Sequence, residues 1–356
     1  MSRFTEFRQS LSGEEGVLIT SPVSRFFLTK FRSSDGFLFV TAQGADLFLD
    51  PRYFEMACLL QKKGVIDPSL RLRSEKFFQV FPGLLSSLGV TKVLFEDRRL
   101  TVSEFSALEK KFPQAEFLPL GKRLDLLRAV KEEEEIGKIR AAQSLAEDAF
   151  ESVLPRLEAG RKETEIAADL EYFMKKNGAS SPSFETICVS GSRTSLPHGT
   201  PTEEILEKNT FVTMDFGCVL DGYCSDMTRT VCVGKANEEM RRVYDTVLRA
   251  QEEALSAVRA GVLGKEVDKA ARDVIEKAGF GANFGHSTGH GVGIEVHEAP
   301  SFSPLSEEKI PAGAVLSVEP GIYLPGKFGV RIEDLVAVRE AGSENLNRSS
   351  KALLEL

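Results

Sequence analysis

Histidine is scarce in this 356-residue chain: there are four, and none lies among the first 197 residues. Cysteine is nearly as rare. Cys58, Cys188, Cys218, Cys224 and Cys232 are odd in number and include no CxxC pair, so neither a disulfide framework nor a thiolate zinc site is expected. No apolar run approaches the ~20 residues of a membrane span. The opening MSRFTEFRQSLSGEEG lacks the apolar core of a signal peptide, so no membrane association and a cytoplasmic location are the expectation. A general basic field is also missing. With 45 basic and 53 acidic residues the formal charge is −8, which argues against a nucleic-acid partner held by overall electrostatics. No glycine-rich phosphate loop follows any strand candidate, which argues against a nucleotide site.

What is present is the composition of a soluble globular protein, 42% hydrophobic and 28% charged, long enough for two cores. The pattern reads as α/β (α+β). Residues 1–125 form a mixed α/β domain, with strands expected at Gly16–Thr20, Phe37–Thr41, Asp46–Asp50 and Lys92–Phe95. Helices are expected at Arg52–Lys63, Glu75–Leu88 and Val102–Lys111. Pro119–Leu127 reads as the connection, and residues 126–356 as a second domain. Apolar spacing predicts a helix within 131–160, its Glu132–Glu135 run suited to the positive end of the macrodipole. Further helices are expected at Glu163–Asn177, from Asn237 to about Ala260, and at Lys265–Ala278. The intervals Gly160–Gly178 and Gly261–Gly279 are both 18 residues. Each is followed by a polar, histidine-bearing segment and then by strand-like runs holding acidic residues. Two related halves, about 131–235 and 236–350, are therefore expected to face each other.

The stretch Met214–Thr228, MDFGCVLDGYCSDMT, reads as a β-hairpin around Asp221-Gly222, a dipeptide suited to a type I′ turn. Counting outward, Asp215, Gly217, Asp226 and Thr228 share one face, with Cys218 on the other as core filler. Asp215 and Asp226 become diagonal neighbours, and Gly217 is expected to leave a vacancy between them that a cation could fill. A solvated surface turn is the competing explanation, since aspartate is common near turns.

The second half supplies GHSTGHGVGIEVHE, residues 285–298. Its glycines argue against a helix, and Ile294–His297 alternates as a strand would. His290 and His297 have opposite parity, so both can face one site only if the chain bends, as Gly291 and Gly293 permit. In VLSVEPGIY and GVRIEDLVAV, Ser317 and Glu319 share a face, as do Arg331 and Glu333. Asp334 is expected to be exposed. Carboxylates among Val, Leu and Ile are costly to bury unless paired or metal-bound. Asp215, Asp226, His290, Glu319 and Glu333 then make a set of four carboxylates and one imidazole. That set suits two divalent cations such as Mn²⁺, Co²⁺, Fe²⁺ or Zn²⁺, with a hydroxide between them as nucleophile.

These residues resemble a known family, the metallopeptidases of the pita-bread fold, which include methionine aminopeptidase, aminopeptidase P and prolidase. The matching pieces are LPHG (Leu196–Gly199), MDFGCVLDGYCSDMTRT, GHSTGHGVGIEVHE, SVEPGIY and GVRIED. SRFFLTKF and LFLDPRYFEMA resemble the amino-terminal domain of the creatinase and prolidase branch, which favours proline-peptide substrates. The resemblance implies a pita-bread catalytic domain with a pseudo-twofold repeat. It implies metal ligands at Asp215, Asp226, His290, Glu319 and Glu333, with Glu319 also handling a proton of the bridging water. His198 and His297 would position the scissile peptide, His286 would line the substrate site, and Arg331 would orient a ligand carboxylate. The ions would be two divalent cations, Mn²⁺ first, with Co²⁺ or Zn²⁺ as alternatives. A homodimer built partly by the amino-terminal domain is implied as well. One departure is Ser24-Arg25, where many relatives carry an asparagine-containing segment. The expected activity is hydrolysis of the Xaa-Pro bond at the amino terminus of dipeptides or short peptides. The alternatives are another amino-terminal specificity such as Met, a metal-free creatinase-like hydrolase, or a non-catalytic binding protein.

Overall fold

Asp221 and Gly222 both take positive φ, 48° and 90°, as a two-residue type I′ turn requires. In the computed structural model, which describes residues 3–356, the register set by that turn runs outward as expected. Leu220 pairs with Tyr223 and Val219 with Cys224, and Asp215 pairs with Thr228. The hairpin is interrupted at Gly217. Thr210–Phe216 joins a three-stranded sheet with Met227–Val233 and Ile187–Ser190, while Cys218–Leu220 joins another with Tyr223–Cys224 and Ser181–Pro182. The vacancy expected at Gly217 is not there. A Cβ at that position would lie 2.0 Å from the Ser225 carbonyl oxygen, so the glycine admits a close backbone crossing rather than ions.

The chain divides into two compact units, Met1–Leu127 and Arg128–Leu356. The first is a six-stranded mixed sheet in the order Arg71–Arg73, Gly44–Phe48, Phe37–Thr41, Glu15–Ile19, Lys92–Phe95 and Glu116–Pro119. Its helices follow from local signals. Asp50 accepts from the Arg52 amide at the start of Pro51–Lys62, and Thr101 and Glu104 form a reciprocal capping box ahead of Val102–Lys111. The core is phenylalanine-rich, with Phe39, Phe48, Phe77, Phe81 and Phe112 buried together. Arg25, at the departure noted above, is buried, and its guanidinium donates to the carbonyls of Ser33 and Gly36 at 2.9 and 2.8 Å. It organises a loop of this unit. The stretch Pro119–Leu127, expected as a connection, carries most of a helix, Arg123–Ala129.

The second unit repeats one plan. In each half a long helix, Glu133–Val153 or Glu238–Ala257, is followed by a shorter one, Glu163–Lys176 or Gly264–Lys277. Asn237 caps the third of these in chain order through the Met240 amide at 2.9 Å. Gly178 and Gly279 end the shorter pair at φ 111° and 89°. Each helix pair packs on strands of its own half, giving two apolar cores. One centres on Ala146, Phe150, Leu170 and Met214 and the other on Val243, Val247, Ile275 and Leu316. The second half's main sheet runs Glu298–Phe302, Gly289–Gly291, Val315–Val318, Asp334–Arg339 and Gly342–Asn345. Ile294–His297 is not a strand. It is a bent loop, and the strand starts one residue later at Glu298.

Asp334 is buried, not exposed. Its Oδ1 accepts from Arg229 at 2.8 Å, and its Oδ2 accepts from Asn345 and Gln251 at 2.8 and 3.2 Å and lies 3.2 Å from Lys351 Nζ. Side-chain alternation identified the face correctly but not what covered it. No helix among the described residues is long and apolar enough to cross a membrane.

The Gly217 crossing yields a test. Gly217→Ala places a methyl against backbone that cannot move aside cheaply, so about 1–3 kcal/mol of stability should be lost. Thermal unfolding of the purified variant measures it, and an unchanged midpoint would contradict the packing described.

Candidate metal centre

The strand Thr210–Phe216 presents Asp215, and the start of Met227–Val233 presents Asp226. His290 comes from the short strand Gly289–Gly291. Glu319 follows Val315–Val318, and Glu333 lies in the link between Phe328–Arg331 and Asp334–Arg339. These five residues line one cavity of about 490 Å³ together with His198, His286, His297 and Arg331. Every site residue expected from the sequence therefore faces the same space. His290 and His297 have rings 4.1 Å apart, edge to face, because the loop between them bends through Gly291–Gly293.

Within the cavity, one ligand atom each from Asp226, His290 and Glu333 lie within 4.8 Å of one another. His290 Nε2 is 3.2 Å from Glu319 Oε1 and 3.6 Å from Asp226 Oδ2. Its Nδ1 is 3.2 Å from the Gly291 carbonyl. A proton held there by the carbonyl leaves Nε2 free to act as a ligand atom. Two buried carboxylate oxygens, Asp215 Oδ1 and Glu333 Oε1, have no hydrogen-bond partner. Their sister oxygens are engaged: Asp215 Oδ2 accepts from Arg331 at 2.6 Å and Glu333 Oε2 from Thr228 Oγ1 at 2.8 Å. A buried acceptor left unpaired is costly. Oriented, unpaired oxygens beside a single imidazole are what a hard or borderline divalent cation would satisfy.

The electrostatics agree. Burial pushes the Asp226 carboxyl well above the ordinary carboxylate range, and the charges of Glu333, Asp215 and Glu319 add to it. Glu333 is raised well above its usual value for the same reasons, burial first and then Glu319 and Asp215. Asp215 is also raised by burial, against the pull of Arg331. Glu319 differs. Burial opposes its ionisation, yet the His290 hydrogen bond and the nearby positive groups bring it down to about 2. Burial pulls His290 down, but the Glu319 hydrogen bond and charge, with the Gly291 carbonyl and Asp215, together raise it above its usual value. Burial lowers His286 and His297.

Several residues that shape the site were given no role from the sequence. Tyr323 donates or accepts at two ends of one junction: its hydroxyl lies 2.8 Å from Arg331 Nη1 and 2.9 Å from His286 Nε2. Its signal was the pair of flanking glycines. A Cβ at Gly321 would lie 2.5 Å from the Tyr323 hydroxyl, and one at Gly329 would lie 2.8 Å from its ring. Glu163 is buried and accepts from the amides of Ser190 and Thr202 at 2.7 and 3.0 Å. These bonds fix the loop that carries His198. Asp268 does the same in the other half, accepting from the Thr288 amide at 3.0 Å and from Arg272 Nε at 2.9 Å. The Asp268–Arg272 spacing of four residues on a helix was the only hint of it.

Comparison with known proteins agrees with this geometry. Residues 137–340 match the model of metallopeptidase family M24, and residues 8–130 match the creatinase/prolidase N-terminal domain. A Xaa-Pro dipeptidase from Bacillus anthracis has a structure that superposes with a TM-score of 0.93 at 37% identity, over 99% of this chain and 98% of that one. An X-Pro aminopeptidase from Thermotoga maritima superposes at 0.91 and 35% identity over 100% of both chains. The Xaa-Pro dipeptidase of Pyrococcus furiosus is 36% identical over 95% of this chain and 94% of its own. With a family match over more than half its length and such relatives along nearly all of it, the chain belongs to metallopeptidase family M24 and carries the creatinase/prolidase amino-terminal domain ahead of its peptidase domain.

Proposed function

We propose that this metallopeptidase removes the amino-terminal residue from peptides whose second residue is proline, using two divalent cations held by Asp215, Asp226, His290, Glu319 and Glu333. The observation that carries the reading is the convergence of these five side chains on one cavity, with Asp215 Oδ1 and Glu333 Oε1 buried and unpartnered. The substrate assignment draws on similarity to proteins described as Xaa-Pro dipeptidases and an X-Pro aminopeptidase. Mn²⁺ is the ion we assign first, ahead of Co²⁺ or Zn²⁺, because oxygen donors dominate the set. When bound, such ions supply a water acidified toward hydroxide and a positive field for the developing oxyanion.

The chain's own groups do the rest. Glu319, kept ionised by its positive neighbours, receives the proton released as water attacks the carbonyl carbon before proline, and passes it to the leaving nitrogen. His198 and His297, at the exposed side of the cavity, hydrogen-bond the scissile peptide and the oxyanion that forms on it. His286 stands against Tyr323 and lines the substrate wall. Arg331 fixes Asp215 in the rotamer that turns Oδ1 inward. Thr228 does the same for Glu333.

Two outcomes follow. Asp226→Asn or Glu333→Gln should remove bound metal and at least about 100-fold of activity, with the far-ultraviolet circular dichroism unchanged. Elemental analysis beside a peptide assay measures both, and full activity in a verified metal-free variant would sink the mechanism. Second, Asp226 and Glu333 hold their protons to higher pH than ordinary carboxyls, so metal binding must displace protons. Affinity should therefore rise with pH. Calorimetry in buffers of different ionisation enthalpy should detect proton release, and a buffer-independent heat would contradict it.

A further inference from the structure

Within the Xaa-Pro reading, on which this inference rests, we infer that the cavity selects peptides that continue beyond proline and disfavours Xaa-Pro dipeptides, whose proline carries a free carboxylate. An ionised carboxylate leaves water at a heavy cost unless a cation or several donors meet it. Among the described residues, the cavity lining carries one permanently charged cation, Arg331. Four of its five N–H donors are already committed, and the fifth shares Nη2 with the bond to Asp215. Nη2 donates to Asp215 at 2.6 Å, Nε to Thr228 Oγ1 at 3.1 Å, and Nη1 to Tyr323 and the Pro197 carbonyl at 2.8 and 3.3 Å. Turning Nη2 toward a substrate would loosen its hold on Asp215. Arg193 reaches the wall only through the Thr200 carbonyl, at 2.7 Å, and is paired with the buried Glu163 at 3.2 Å.

The imidazoles do not replace a cation. His286 has both ring nitrogens engaged, with the Ser287 carbonyl and with Tyr323, at 2.8 and 2.9 Å. His290 faces Glu319 and Asp226. His198 and His297 are assigned above to the scissile peptide. The wall instead carries a further negative charge, Glu185, exposed and two residues from Ile187. A carboxylate on proline would find no uncommitted cationic side chain on this wall. A peptide bond in its place is neutral and needs only ordinary hydrogen bonds. The cavity also has room for the continuing chain, since Glu185, His198, Thr200, Ser287 and His297 are all exposed along its edge.

The test uses the Mn²⁺-loaded full-length enzyme and three substrates: Ala-Pro, Ala-Pro amide and Ala-Pro-Ala. The amide matches the dipeptide in size and differs in charge, so it separates charge from length. kcat/KM for the amide and the tripeptide should exceed that for the dipeptide by about tenfold or more. Glu185→Lys, which adds a cation to the wall, should narrow that ratio. A dipeptide cleaved as well as or better than its amide would overturn the inference. Cleavage of Ala-Ala-Ala with none of the three proline peptides touched would instead overturn the Xaa-Pro reading itself, and the two failures are told apart by the same assay.

Discussion

Two buried arginine–aspartate pairs, exchanged between the halves of the catalytic unit, hold the site together. Arg331 of the second half binds Asp215 of the first, and Arg229 of the first binds Asp334 of the second. The need for them is electrostatic. Four carboxylates crowd one cavity and resist ionisation together, as the raised Asp226 and Glu333 indicate. A fold that gathers them must oppose their repulsion. Removing one partner from such a pair leaves a buried charge unmatched, which costs far more than the pair contributes. The pairs therefore matter more for specifying how the halves align than for net stability. Further hydrogen bonds follow the same seam: the Glu333 amide donates to the Thr228 carbonyl at 3.2 Å, and Thr230 Oγ1 donates to the Arg331 carbonyl at 3.0 Å.

Around that seam each half is built on its own apolar core. No residue of the helix pairs lines the cavity, though Gln143 accepts from the Asp226 amide at 3.2 Å. They supply Glu163 and Asp268, whose hydrogen bonds set the two histidine-bearing loops. The glycines around the site serve close approach. A Cβ at Gly289 would lie 1.9 Å from the Ser317 carbonyl oxygen, so the strand bearing His290 could not otherwise reach the one leading to Glu319.

Much of this was legible in the sequence, for identifiable reasons. The Asp-Gly turn fixed a register, and the register put Asp215 and Asp226 on one face. Period-2 alternation in SVEPG and GVRIED separated the inward carboxylates from the apolar residues. Helix ends were readable from Asn237, Gly178 and Gly279, where local chemistry decides. What was not legible depended on distant partners. Asp334 reads as a surface residue until Arg229, Asn345 and Lys351 close over it. Gly217 reads as a gap until the Ser225 backbone fills it. Ile294–His297 alternates like a strand, but the chain bends there to bring His297 beside His290. The committed state of Arg331 could not be read at all, because its partners lie up to 134 residues away.

Of the paired staples Glu163 and Asp268, the first makes one wall of the site adjustable by itself. Each loop is fastened to a helix of its own half: Glu163 holds Ser190 and Thr202, and Asp268 holds Thr288, whose carbonyl accepts from the Glu319 amide at 2.8 Å. Sequence drift in the helix bearing Glu163 can reshape the His198 wall while the carboxylate cluster at the seam stays as it is. A fold wired this way can diversify the peptides it accepts without rebuilding its reactive centre.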